Sequence, residues 1–416
     1  MLAHARFLLT RMGGGYSAAV AVVFLLALGV RLAYVGRVPP RMTPDSADYL
    51  TLAENLAEHH AFSLSAGEPF VPTIRRAPGY PLFLVLAGGA PRAVQSVLDA
   101  LTAAMICAIA GRLGRLRWGI AAGLVWAAHP GAIVYADSIL SESLFTFLLT
   151  GAVALLAARW PAAAGVAMGM AALTRPIGAA LAVPIAAVLL FSAIPRRRAS
   201  AALFCASMLA VVGPWIVRSS LLGGRFVLVS ATAPLNYSIA TVSGRWDLND
   251  QASIFGGAYF REIDPCGRAF SRARTPHDSV RADDVCLHEA LANVRHDPAY
   301  YARGRISQLV HFPLTSFDFA TGIRSTIGDA IAKRKVGAVL VKAVLYTVFS
   351  LAPLLLGMAG TVAGRRPVEV RLAAAVWIFT ILIHAPGFVE YRYFLPAVPM
   401  LLVCATTSRL WPGSSP

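Results

Sequence analysis

Long apolar runs constrain this chain more than any motif in it. About 20 apolar residues coiled as a helix cross a bilayer core of about 30 Å. Inside lipid, only a helix or a closed barrel satisfies its own backbone polar groups. Ten such runs predict ten membrane-spanning helices, at 17–35, 93–111, 118–136, 143–158, 161–174, 176–194, 200–217, 337–361, 371–388 and 394–411. The first is too long for the core of a cleavable signal peptide and has no small-residue cleavage site, so it is expected to remain as an anchor. Composition agrees: 57% of the 416 residues are hydrophobic and 14% charged, against about a quarter charged in a soluble domain. A chain this apolar has no means of hiding its hydrophobic surface in a water-soluble globule. The expected fold is an all-α polytopic membrane bundle of about ten transmembrane helices, with two long external loops containing amphipathic helices.

The net charge of +16 then has to be placed relative to the membrane. One set of connections and termini holds Arg6, Arg11, Arg112, Arg115, Arg117, Arg159, Arg196, Arg197, Arg198, Arg365, Arg366, Arg371 and Arg409, against a single acid, Glu369. By the positive-inside rule that side is cytoplasmic and both termini are inside. The opposite side carries two long polar segments, about 36–92 and 218–336, the second with both signs in near balance. The excess of cations is therefore topological, and no nucleic-acid partner is expected. Membrane lipid is.

Cys107, Cys205 and Cys404 fall within apolar runs, where a thiol is a small apolar group. Cys266 and Cys286 lie in the large external segment, 20 residues apart. On an oxidising face such a pair is expected to close a disulfide. No CxxC or HxxxH spacing suggests zinc.

The first external segment carries helix-start chemistry. Thr43 suits an N-cap and Pro44 the first helical position, and Tyr49, Leu52, Ala53 and Leu56 recur at helical spacing. An amphipathic surface helix over 45–58 follows. Residues 223–246 read as short strands or irregular chain, and 281–310 as helix with Asp297 capping a second segment.

Ionisable groups near a membrane are costly, so their gathering on the outer side has a use. They are Asp45, Asp48, Arg75, Arg76, Glu142, Arg175, Arg218 and Arg392. A guanidinium binds phosphate oxygens bidentately and stays charged, which makes the arginines candidates for a phosphate site. Each also has a structural explanation. Arg175 in the turn LTRPIG is placed to snorkel to lipid headgroups, and Asp45 in a first helical turn is favoured by the helix dipole. Asp99 lies inside the second run and needs a partner that the sequence does not name. Asn236-Tyr-Ser238 matches a glycosylation sequon, a weak signal.

Five stretches, in order, resemble the GT-C glycosyltransferases, specifically the protein mannosyltransferase/aminoarabinose-transferase-like family of polyprenyl-phosphate-sugar-dependent membrane enzymes. They are PDSADYLTLAENL, RRAPGYPLFLVLAG, HPGAIVYADSILSESLFTFLL, ALTRPIGAALAVP and YRYFLPAVPMLLV. Each is loose and their succession is more specific. The external stretch 223–336 has no counterpart. The resemblance implies inverting transfer of a sugar from a polyprenyl-phosphate donor to an acceptor (glycan, lipid or protein) outside the cytoplasmic membrane. It makes Asp45 the general base with Asp48 as second candidate, and Arg76, or Arg75 by a one-residue slip, the group that offsets charge on the departing phosphate. Arg175 and Arg392 would extend that cationic rim, with Glu142 as a further acid nearby. No cofactor is called for; a divalent metal is compatible with the pattern without being required by it. Three portions are expected: a catalytic transmembrane module 1–222 including loop 36–92, the external loop 223–336, and C-terminal helices 337–416. A transporter or lipid flippase also fits ten apolar runs, and a ligase or polymerase with a diphosphate-linked donor fits the charged rim. Transporters often carry internal repeats and midplane breaks; no repeat is visible in this sequence, and its charges collect at the outer rim rather than midway.

Overall fold

The computed structural model describes residues 14–40, 42–242, 264–314, 317, 335–362, 367–408 and 410. Among them, helices lie at all ten positions read from the apolar runs. Arg6, Arg11, Arg365, Arg366 and Arg409 of the basic set, and the end of the last run, fall outside the described residues.

The chain opens with α1 (Gly14–Val35) and continues through α2 (Pro44–His59), α3 (Gly79–Ala87), α4 (Pro91–Arg112), α5 (Leu116–Ala128) and α6 (Pro130–Asp137). Then follow α7 (Glu142–Ala157), α8 (Pro161–Thr174), α9 (Ile177–Phe191) and α10 (Arg197–Gly223). The external layer is α11 (Ala233–Val242), α12 (Pro265–Arg272), α13 (Pro276–His296) and α14 (Pro298–His311). The chain re-enters the bundle as α15 (Val336–Tyr346), a π-helical turn at Thr347–Leu351, α16 (Ala352–Val362) and α17 (Val368–His384), and ends in α18 (Tyr391–Phe394), a 3₁₀ turn at Leu395–Ala397 and α19 (Val398–Ala405).

Among the described residues, four helical segments are long and apolar enough to cross a membrane: Gly15–Val35, Pro91–Arg112, Arg197–Gly223 and Val336–Val362. Others, such as Glu142–Ala157 and Ile177–Phe191, are apolar but shorter. Their outward faces are the lipid-facing surface: Leu25, Leu26, Val183, Phe191, Leu209 and Leu355 are all exposed. The chain is a multi-pass membrane protein. Helix contacts are made close by small residues, as membrane helices without a hydrophobic driving force between them require. A Cβ at Gly165 of α8 would stand 2.2 Å from the Phe204 carbonyl oxygen of α10, and one at Gly169 would stand 2.7 Å from Val211 Cβ.

Two expectations need correction. The run 118–136 is not one straight span, because α5 and α6 meet at a 52° bend at His129-Pro130. Proline removes a donor and forces the break, and the His129 imidazole then caps α6 by accepting from Ala132 N–H at 3.2 Å. The buried Arg31 of α1 covers the carbonyls left at the end of α5, donating to Ala127 O at 2.8 Å and Trp126 O at 3.1 Å, while its Nε pairs with Asp99. The second correction concerns 223–246, read as strand or irregular chain. Its residues 233–242 are helical, and an isolated bridge between Ser63 and Pro72 is the β pairing found among the described residues. β-branched residues here pack on other helices, so tertiary context outweighs their strand propensity.

Candidate functional site

Helix α2 begins as its sequence dictates. Thr43 Oγ1 accepts from Ser46 N–H and Ser46 Oγ accepts from Thr43 N–H, each at 3.1 Å, with Pro44 in the first turn. The reciprocal cap fixes the entry of α2 and puts Asp45 in its first turn, with Asp48 three residues on. The segment leading into α3 brings Arg76 across to both acids. Its Nη2 donates to Asp45 Oδ1 at 2.7 Å and to Asp48 Oδ2 at 2.7 Å, and its Nε to Asp48 Oδ2 at 2.9 Å. From the far end of the chain Arg392, on α18, donates to Asp45 Oδ2 at 2.9 Å and pairs with Glu390.

A cavity of about 380 Å³ opens beside these groups. Asp45, Arg75, Arg76, Arg175, Arg392 and Glu142 all line it, with Tyr49, Asn236, Phe388, His384 and Tyr393. Arg175, in the turn between α8 and α9, is not snorkelling to headgroups. It donates to Glu142 Oε1 at 2.8 Å and Ser141 Oγ at 3.1 Å. Glu142 is 1% exposed, and its second carboxylate oxygen is buried without a hydrogen-bond partner among the described residues. Tyr393 lies beneath both Arg175 and Arg392, its ring centre 5.3 and 5.1 Å from the guanidinium carbons. One wall is apolar, with Ile177 and Ala180 of α9 and Ile383 of α17.

Asp48 sits just behind the lining, on Arg76. Arg218 is not brought into the site: it lies within α10, its Nη1 donates to Thr73 O at 3.2 Å, and it stacks over Trp215 at 4.4 Å. Arg75 has no carboxylate within ion-pair distance among the described residues, and its guanidinium carbon stands 4.0 Å from the centre of the Phe270 ring. The sequon Asn236-Tyr-Ser238 faces inward, Asn236 lining the cavity and Ser238 buried. Tyr393, His384 and Glu390 were not picked out by sequence reasoning, and Tyr49 only as part of the apolar face of its helix. The pairing of Tyr393 with the two arginines was legible only as the succession YRY.

The electrostatics of Asp45 are set by competition. Burial alone would raise its pKa, but the two guanidiniums of Arg76 and Arg392 outweigh burial and hold the carboxyl well below the usual carboxylate range. Among the described residues, the cluster with metal-ligand geometry is Asp264, Cys266 and Glu289. Its sulfur is committed to a disulfide with Cys286, the pairing expected from the sequence.

The helical bundle with its cavity has a counterpart among solved structures. The Archaeoglobus fulgidus oligosaccharyltransferase in its apo form aligns with a TM-score of 0.51 at 13% identity, over 94% of this chain and 50% of that one. The archaeal oligosaccharyltransferase AglB from the same organism, in complex with an inhibitory peptide and a dolichol-phosphate, gives 0.49 at 13% identity over the same shares. ArnT from Cupriavidus metallidurans in the apo state gives 0.42 at 16% identity, over 95% of this chain and 78% of that one. The chain thus shares the fold of the first of these oligosaccharyltransferase structures and spans about half that protein's length. No family model and no curated protein matches the sequence.

Proposed function

We propose that this protein is a membrane glycosyltransferase moving a sugar from a polyprenyl-phosphate carrier to an acceptor on the outer face of the cytoplasmic membrane, with inversion at the anomeric carbon. The observation that carries this reading is one cavity in which the Asp45 carboxylate lies among four arginines, Arg75, Arg76, Arg175 and Arg392. The order of the sequence motifs supports it.

In the proposed step the acceptor hydroxyl gives its proton to Asp45 as its oxygen bonds to C1 of the sugar. The bond from C1 to the phosphate oxygen breaks and its electron pair stays on the phosphate. The leaving group changes from diester to monoester and gains one negative charge, which the guanidiniums are placed to offset. Four such groups are enough for a monophosphate, so no cofactor is assigned. A carboxylate held by two arginines is a weak base. The incoming phosphate would take over guanidinium hydrogen bonds now given to Asp45, and that exchange returns basicity to the carboxylate when the donor is in place. The apolar wall of Ile177, Ala180 and Ile383 suits the first isoprene units.

The test is transfer from radiolabelled polyprenyl-phosphate sugars by membranes carrying wild type or Asp45→Asn. Loss of a placed base lowers the rate by roughly 10²–10⁴-fold. Transfer that survives the substitution undiminished would rule out Asp45 as base.

A further inference from the structure

Arg75 differs from the other three cavity arginines. Arg76, Arg175 and Arg392 each hold a carboxylate, whereas Arg75 has an aromatic partner, Phe270. The choice of partner decides what the cation is able to do. A carboxylate uses up guanidinium N–H donors and cancels the charge. A ring face stabilises the cation but leaves its in-plane donors unused. Asp48 is the carboxylate that attracts Arg75 most, so without the ring Arg75 has somewhere to collapse.

Phe270 is itself held in place by an unusual anchor. It lies on α12, a helix of eight residues, too short to be stable alone. Cys266 stands four residues earlier, on the same face, and its disulfide ties α12 to Cys286 of α13. Asp264 caps α12 by accepting from Gly267 N–H, and Glu289 of α13 accepts from Cys266 N–H at 2.8 Å. The two cysteines share a buried cluster with Leu235, Ile239 and Phe388, against which Phe270 and Tyr393 pack. Phe388 and Tyr393 are also cavity wall.

We infer that Phe270, carried on the disulfide-tied α12, is a positioning residue for the anion site: it keeps the Arg75 guanidinium clear of carboxylates until a lipid phosphate arrives, so that phosphate binding depends on the Cys266–Cys286 bond. This rests on the reading of the cavity as a lipid-phosphate site. It goes beyond that reading by giving the external disulfide a role in binding rather than in stability alone.

The experiment measures the dissociation constant of polyprenyl monophosphate for detergent-solubilised wild type, Phe270→Ala, Phe270→Leu and Phe270→Tyr, each before and after reduction, with thermal unfolding alongside. Losing the cation–π contact should weaken binding about three- to thirtyfold in the Ala and Leu variants, while Phe270→Tyr binds as wild type does. Reduction should weaken wild type and the Tyr variant by a similar factor and leave the Ala and Leu variants nearly unchanged, because both changes remove the same contact. A purely structural disulfide would instead lower the unfolding temperature of all four and leave every dissociation constant where it was. That outcome overturns the inference, as does an effect of reduction that multiplies with Phe270→Ala. If wild type fails to bind polyprenyl phosphate in either redox state, the phosphate site and this inference fall together. Redox-dependent binding with no sugar transfer from any carrier would leave the inference standing and sink the transferase reading alone.

Discussion

Asp99 shows at the scale of one residue what the sequence was able to say. An acid inside an apolar run demands a partner, and that much was legible. The partner, Arg31, sits in an earlier run where an arginine passes for a flanking charge. Their meeting depends on how α1 and α4 pack, and local pattern does not carry that. Arg31 also serves the carbonyls released by the His129-Pro130 break, so it joins three helices. Removing it leaves a buried carboxylate without its counter-charge, a loss of about 3–5 kcal/mol. Arg31→Met is therefore expected to unfold at a clearly lower temperature in detergent, and pairing it with Asp99→Leu should restore part of the loss. If the double variant is no more stable than the single, the ion pair is not what Arg31 contributes. Asp45 was legible in the same partial way. Its helix start is written in Thr43-Pro44, but Arg392 lies 347 residues away, and the motif order hinted at the pairing without fixing its geometry.

Single helices were legible where their termini carry chemistry. Thr43 and Asp297 cap as their side chains predict, because a cap is a local hydrogen bond. The segment at 233–242 was misread because its register is decided by the helices it rests on. Helix α13 carries a testable consequence of that packing. Its Asp283 is buried, and burial pushes the carboxyl up to about 7, helped by Asp284 and opposed by Arg225. An unfolded aspartate titrates near about 3.9. Between these values the folded state binds more protons than the unfolded, so folding stability falls as pH rises from about 4 to about 7 and is level above. Asp283→Asn removes that dependence. The variant should unfold at a higher temperature than wild type at pH 8, and the gap should close by pH 4. An equal gap at both pH values would show that Asp283 is not the titrating group.

Across the whole molecule, connectivity sorts the charges. Helices α8 and α17 run from the basic end to the cavity, reaching it at Arg175 and His384, and α10 ends at Gly223 beside Ile74 and Val280. The two long polar segments meet where Ala231 N–H donates to Ile74 O at 2.9 Å, and the second is tied to the chain after α17 where Phe388 N–H donates to Asn236 O at 3.0 Å. At the opposite ends of these helices, Arg159 precedes α8, Arg196–Arg198 open α10 and Arg371 lies at the start of α17, while Arg112 closes α4. The positive-inside rule turns this separation into an orientation, and the orientation decides which pool of acceptors the cavity meets. It is checked with single cysteines in a Cys205→Ser background. Glu68→Cys, in the exposed part of the first polar segment, should react with a membrane-impermeant maleimide in intact cells. Arg197→Cys, exposed at the start of α10, should react only after the membrane is opened. The reverse pattern would put the cavity on the cytoplasmic side and remove the basis for an external acceptor, whatever the chemistry of Asp45.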